Sequence, residues 1–160
     1  ESKNAYLKTP VHLEEIIALE IEDSVQLATE KQVTVTTVFP ASSLPVLMLD
    51  QEMMRLAIHN ILDNAIKYSP ADKNVEISVA INQTTVEVVI KDSGIGIPKA
   101  QHKKLFSMFS RADNAVAANS KGSGVGLFIA KEIVEAHQGK IWFDSVENKG
   151  TTFHITLPLK

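Results

Sequence analysis

The 160-residue chain contains no cysteine, which excludes disulfides, thiolate nucleophiles and cysteine metal sites. No apolar run approaches the ~18 residues that a membrane span needs. The opening "ESKNAYLKTP" lacks the basic-then-apolar shape of a signal peptide. Positive charge is not in surplus: 16 Lys and Arg stand against 19 Asp and Glu, for a net charge of −3. That balance argues against nucleic acid as a partner, and an anionic ligand would need cations gathered locally. What is present is a hydrophobic fraction of 44%, enough for a proper core and too much for a disordered chain. The length suits one domain, and a soluble, cytoplasmic domain is expected.

Periodicity places the elements. Residues 11–31 read as an amphipathic helix with Leu13, Ile16, Ile17, Ile21, Val25 and Ala28 near one stripe, and Thr9-Pro10 as its start signal. The β-branched run 33–39 reads as a strand, and 43–50 as an edge or irregular strand because of Pro45. Asp50 can cap a helix over 51–68. Residues 75–81 and 86–92 alternate apolar with polar and are separated by a four-residue turn, the pattern of a β-hairpin. After an irregular stretch from Ser93 to Lys121, with a short helical piece around "AQHKKLFSMFS", a helix is expected over 125–138, ended by Gly139. A second hairpin joins 140–145 to 151–157. The implied fold is a two-layer α/β (α+β) sandwich: about five mostly antiparallel strands against about three helices.

The segment "KGSGVGL" (121–127) raises the question of a phosphate. It fits neither common phosphate loop. A dinucleotide fingerprint needs G-x-G-x-x-G after a strand, and a P-loop needs G-x-x-x-x-G-K-[ST]. The physics of a helix opening on small residues remains: close backbone approach and unpaired N–H groups favour an anion. A lid hinge without ligand is equally compatible with this segment alone. A second cluster, "KDSGIGIP" (91–98), follows a strand and offers Asp92, whose carboxylate only accepts hydrogen bonds. It would pair with the amino group of adenine and repel the carbonyl of guanine. The bland reading is a plain Asp-Ser-Gly turn. On the helix 51–68, Asn60, Asn64 and Lys67 share one face by i, i+4, i+7 spacing. Amide oxygens suit Mg²⁺, Lys67 suits phosphate, and Tyr68 offers a ring edge. Singly, each would pass for a solvated helix face.

Together, these elements resemble the ATP-binding catalytic domain of sensor histidine kinases, whose fold (Bergerat or GHKL) is shared with DNA gyrase and the mismatch-repair ATPases. Asn60 to Ser69 resembles the N box, Asp92 to Pro98 the first glycine box, Leu105 to Arg111 the F box, and Gly122 to Leu127 the second glycine box. Gly150-Thr151-Thr152-Phe153 resembles the closing strand. Four boxes in order, covering nearly the whole chain, are far more specific than any one. The resemblance implies ATP and Mg²⁺ as cofactors, with Asn64 holding the ion and Asn60 close to it. It implies Lys67 and Arg111 against phosphate, Tyr68 and Ile97 beside the nucleotide, and Asp92 on the adenine amino group. Gly94 and Gly96 would let adenine and ribose approach the backbone. Lys121, Gly122, Ser123, Gly124, Val125, Gly126 and Leu127 would form the hinge and phosphate contacts of a mobile lid spanning about 97–121. Phe106 and Phe109 would anchor that lid or meet a partner helix. Thr151 or Thr152 would support the adenine site.

One position separates the branches of that fold. Hydrolysing relatives carry a glutamate four residues before the metal asparagine; here the residue is Asn60, and a neutral amide cannot act as a base. Transfer to a histidine supplied elsewhere is therefore implied, resting on positioning and charge stabilisation. Asn60, Lys67 and Arg111 are its candidate catalytic residues. Between 99 and 121, Lys99, Lys103, Lys104, Arg111 and Lys121 face Asp113 alone, although Lys99 and Lys103 read best as solubilising charges. None of His12, His59, His102, His137 and His154 fits the phosphoacceptor motif. His137 sits near a helix C-terminus, where a cation is favoured. Residues 1–160 are thus expected to be one catalytic domain cut from a larger kinase, with 1–10 a linker or edge segment. The helical dimerisation and phosphoacceptor domain would be its partner, a response regulator an indirect one. The isolated domain would be monomeric and inactive alone, the full kinase a membrane-bound homodimer with this portion in the cytoplasm. A serine kinase of the anti-sigma-factor type and a nucleotide-binding module without transfer are the alternatives.

Overall fold

The computed structural model of the chain describes residues 5–108 and 124–160. In chain order the elements are β1 (Thr9–Val11), α1 (Leu13–Lys31), β2 (Thr34–Val38), β3 (Leu47–Leu49), α2 (Gln51–Lys67), β4 (Asn74–Ile81) and β5 (Thr85–Lys91). A 3₁₀ helix (Lys99–Lys104), α3 (Gly126–Ala136), β6 (Lys140–Val146) and β7 (Gly150–Pro158) complete them. Five strands form one sheet in the order β2-β4-β5-β7-β6. β2 and β4 run parallel, and every other neighbouring pair runs antiparallel. Among the described residues no helix is long and apolar enough to cross a membrane.

The alternation in the strands decides which face is covered. Val75, Ile77 and Val79 of β4, Val86, Val88 and Ile90 of β5, and Phe153, Ile155 and Leu157 of β7 are all buried. Their side chains share one face because strand side chains alternate. Against them the helices set Leu13, Ile16 and Ile17 of α1, Ile58, Ile61 and Leu62 of α2, and Ala130, Ile133 and Val134 of α3. Each large aliphatic side chain so buried contributes about 1.5–3 kcal/mol. α2 lies between α1 and α3, so its two polar edges, not its apolar face, are left to form sites. Asp50 caps α2 by accepting from the Met53 amide at 3.1 Å and also accepts from the Leu7 amide at 2.9 Å.

The structure departs from the sequence reading in two places. Thr9 and Pro10 do not start α1. They lie in β1, which pairs antiparallel with β3 as a separate two-stranded ribbon, and α1 begins at Leu13 behind His12. Val25 leaves the buried stripe and is 55% exposed, whereas Glu20 is buried. Glu20 is tolerated because Arg55 Nε (2.6 Å) and His59 Nδ1 (2.9 Å) of α2 reach its two carboxylate oxygens, as a buried charge requires. His137 does stand at a helix C-terminus, closing α3, but inside the fold. It is buried, its Nε2 accepts from the Asp50 amide at 2.9 Å, and its Nδ1 faces the Ile133 carbonyl at 2.7 Å. The ring thus ties the end of α3 to the start of α2.

Candidate functional site

The end of β5, the start of β7 and the end of α2 meet around Asp92. This residue is only 8% exposed. Its Oδ1 accepts from the Gly94 amide at 2.8 Å and from the Thr151 amide at 3.1 Å, and its own amide donates to the Thr151 carbonyl at 2.9 Å. Burial pushes the carboxyl above its ordinary range, and the two amide bonds pull it back only in part. Among the described residues nothing donates to Oδ2. A desolvated carboxylate with one oxygen filled and one open is a fixed acceptor for a donor from outside.

Register separates the two threonines. Thr151 pairs with Ser145 and is buried beside Asp92. Thr152 pairs with Asp144 and Lys91 and points to the opposite face of the sheet, which no described helix covers, away from Asp92. Thr151 is therefore the residue the fold brings to this site. Ser145, which the sequence reading missed, joins it: its hydroxyl lies 2.8 Å from Thr151 Oγ1, donates to the Gly150 carbonyl at 3.1 Å and accepts from the Ile97 amide at 2.8 Å. Nothing in the local sequence marks a strand serine out; only the pairing register does.

The reason for glycine at 94 and 96 lies first in the protein's own packing. A Cβ on Gly94 would stand 2.5 Å from the Tyr68 carbonyl oxygen, and one on Gly96, at φ +66°, would overlap the Val146 carbonyl oxygen. The Tyr68 carbonyl accepts from the Ile95 amide at 3.2 Å, and the Ile95 carbonyl accepts from the Asn148 amide at 2.7 Å. The segment after Asp92 is thus pinned between the end of α2 and the β6–β7 turn.

On α2, Asn60 and Asn64 occupy one half-buried edge. Asn60 Nδ2 donates to the Gly126 carbonyl at 3.0 Å, which holds the start of α3 and leaves the amide oxygen to other partners. Asn64 has no side-chain hydrogen bond among the described residues, so its amide is available to a ligand. Lys67 Nζ sits 2.7 Å from Asp63 Oδ2, one turn back. Tyr68 closes the helix. Gly124, Val125 and Leu127 are half-buried at the head of α3, near Asn60 through the Gly126 contact. Phe106 belongs to the body of the fold: its ring packs edge-on against Phe143 (5.8 Å) and Phe153 (6.3 Å), with Lys131 Nζ 6.0 Å above it. Phe109, Arg111, Lys121, Gly122 and Ser123 lie outside the described residues. His59 bonds Glu20 rather than the Asp92 site.

Residues 49–160 match the family model described as histidine kinase-, DNA gyrase B-, and HSP90-like ATPase. The sensor histidine kinase WalK of Bacillus subtilis is 46% identical over 114 residues, which are 70% of this chain and 19% of that protein. The sensor protein kinase WalK of Staphylococcus aureus is 47% identical over 111 residues, 68% of this chain and 27% of that protein. The chain therefore spans only a fifth to a quarter of these relatives' length. Among solved structures, the mycobacterial sensor histidine kinase MprB superposes with a TM-score of 0.79 at 29% identity, covering 94% of this chain and 97% of that one. The catalytic domain of histidine kinase ThkA superposes with a TM-score of 0.80 at 25% identity, covering 94% and 97%. Fold, box order and matched region agree, and the chain belongs to the family of histidine kinase-, DNA gyrase B- and HSP90-like ATPases.

Proposed function

We propose that this chain is the catalytic domain of a sensor histidine kinase, which binds Mg-ATP and gives the γ-phosphate to a histidine on a separate helical dimerisation and phosphoacceptor domain. The observation that carries this reading is Asp92, a buried carboxylate with Oδ1 saturated by two backbone amides and Oδ2 open. An open oxygen of that kind accepts from the exocyclic amino group of adenine and repels the carbonyl that guanine has in its place. Thr151 would flank the base, and Asn60, Asn64 and Lys67 would face the phosphates. Lys67 starts from an ion pair with Asp63, so phosphate would compete with that carboxylate for the ammonium. The amide oxygens of Asn64 and Asn60 are hard donors that fit Mg²⁺, which would neutralise phosphate charge when bound.

Transfer rather than hydrolysis is favoured by Asn60. Its Nδ2 is committed to Gly126, and an amide has no basic site with which to take a proton from water. The residues would act by positioning and charge, with the attacking nucleophile brought by the partner domain. The parent protein would be a homodimeric, membrane-bound sensor kinase with this domain on the cytoplasmic side, and a response regulator would take the phosphoryl group onward.

The test is to mix the chain with a helical phosphoacceptor domain from a closely related kinase and γ-labelled ATP. Acid-labile label on the histidine is the expected result. Nucleotide binding without any such label would overturn the transfer reading. Acid-stable label on a serine would replace it with the serine-kinase alternative.

A further inference from the structure

Three hydrogen bonds converge on one hydroxyl that no part of the proposed chemistry uses. Ser145 lies on the inner face of β6, directly across from Thr151. Its Oγ accepts from the Ile97 amide (2.8 Å), donates to the Gly150 carbonyl (3.1 Å) and lies 2.8 Å from Thr151 Oγ1. A serine hydroxyl has one proton and two lone pairs. With the proton given to Gly150 and one lone pair taken by Ile97, the remaining lone pair receives the Thr151 hydroxyl, and the oxygen is saturated. Ile97 is held on its other side too, where its carbonyl faces His102 Nε2 at 2.9 Å, and the His102 ring rests edge-on against Phe143 at 5.0 Å. Thr151 in turn is the residue whose amide donates to Asp92. A continuous line of contacts thus runs from Asp92 through Thr151 and Ser145 to Ile97, where the segment leading to residues 99–108 begins.

We infer that Ser145 is a positioning residue for the nucleoside, fixing Thr151 and Ile97 in register with Asp92 so that the base meets a preformed wall. Ser145 itself need not touch the ligand. This rests on the reading of Asp92 as the acceptor for the base. Removing the hydroxyl leaves the Ile97 amide without its acceptor and frees the Thr151 hydroxyl to rotate. Part of the ordering that the wall supplies in advance would then have to occur during binding. The phosphate side, set by α2 and α3, shares none of these three bonds.

The experiment is calorimetry of the chain with adenosine, ADP and ATP, on the parent, Ser145→Ala and Ser145→Thr. Ser145→Ala is expected to weaken all three ligands by the same factor, about five- to tenfold, because the three bonds at its hydroxyl order the wall and none of them is to the ligand. Ser145→Thr, which keeps the oxygen, is expected to restore most of it. Hydrogen exchange at the Ile97 amide should speed up in Ser145→Ala only. Parent-like affinities in Ser145→Ala, or a loss confined to the phosphate-bearing ligands, would overturn the inference while leaving the nucleotide reading intact. A parent chain that binds neither adenosine nor ATP would remove the nucleotide reading and this inference with it. A drop in melting temperature with unchanged affinities would show Ser145 to be purely structural, and would also overturn it.

Discussion

Replacing Asp92 with asparagine separates binding from stability more cleanly than any other change in this chain. The two side chains have the same shape, and the substituted amide can keep its oxygen where Oδ1 stands, accepting from the amides of Gly94 and Thr151 at the present 2.8 and 3.1 Å. The NH₂ group then occupies the open Oδ2 position and presents donors to a ligand donor. Losing a charge-assisted hydrogen bond in a desolvated site costs about 1–3 kcal/mol, equivalent to about a 5- to 150-fold weaker affinity for ATP at the usual conversion. Stability should move the other way. The Asp92 carboxyl is held above its ordinary value chiefly by burial. A raised carboxyl adds stability that is fully present below the ordinary value and is lost as pH rises through the folded value. At neutral pH the native state therefore bears an ionised, desolvated group that asparagine removes. Asp92→Asn should melt no lower than the parent at pH 7. The parent should gain stability relative to the variant as pH falls through that window. Calorimetric titration with ATP, and thermal denaturation at neutral pH and at a pH close to the ordinary carboxyl value, about 4, measure both halves. Unchanged ATP affinity would take Asp92 out of the site, and a variant melting several degrees lower at pH 7 would refute the account of its electrostatics.

The other perturbations test the edges of the site. Asn60→Asp keeps an oxygen for a cation but turns the donor facing the Gly126 carbonyl, now at 3.0 Å, into a repelling acceptor. A loss of about 1–3 kcal/mol in stability is expected, and a denaturant midpoint equal to the parent's would show that this strut carries nothing. Lys67→Met should weaken ATP about tenfold, for one charge-assisted phosphate contact, and leave adenosine unchanged; equal losses for both ligands would contradict a phosphate role. Gly96→Ala forces a Cβ into the Val146 carbonyl oxygen at a φ of +66°. It should destabilise by about 2 kcal/mol or more, read as a lower midpoint in chemical denaturation; a parent-like midpoint would mean the β6–β7 turn gives way freely.

Much of this molecule was legible from residue patterns because its helices and hairpins are long enough to show their period. The alternation in 75–81 and 86–92 placed β4 and β5 within a residue or two, and Asp50 read correctly as the cap of α2. β3 falls inside the edge or irregular strand expected over 43–50, but β1 and its pairing with β3 were missed because a three-residue strand has no period to detect, and Pro10 looked like a helix signal. Val25 and Glu20 were exchanged on α1 because apolarity alone cannot anticipate Arg55 and His59 arriving from α2. The choice between Thr151 and Thr152 was closed to the sequence and became trivial once the pairing with β6 was known. Ser145 was hidden for the same reason. Gly94 and Gly96 showed that something had to approach closely, but the identity of the approaching atoms, the carbonyls of Tyr68 and Val146, belonged to tertiary structure.

The neighbouring threonines of β7 have a consequence for how this surface tolerates substitution. Thr151 and Thr152 are chemically identical and adjacent, yet one is locked into the line from Asp92 to Ile97 and the other shares the opposite face of the sheet with its register partners Lys91 and Asp144. On the proposed reading, a substitution that disturbs nucleotide binding would act through the first. Substitutions at the second, with the rest of its face, should leave the line from Asp92 to Ile97 undisturbed. A single strand thus serves two separate surfaces at alternate residues.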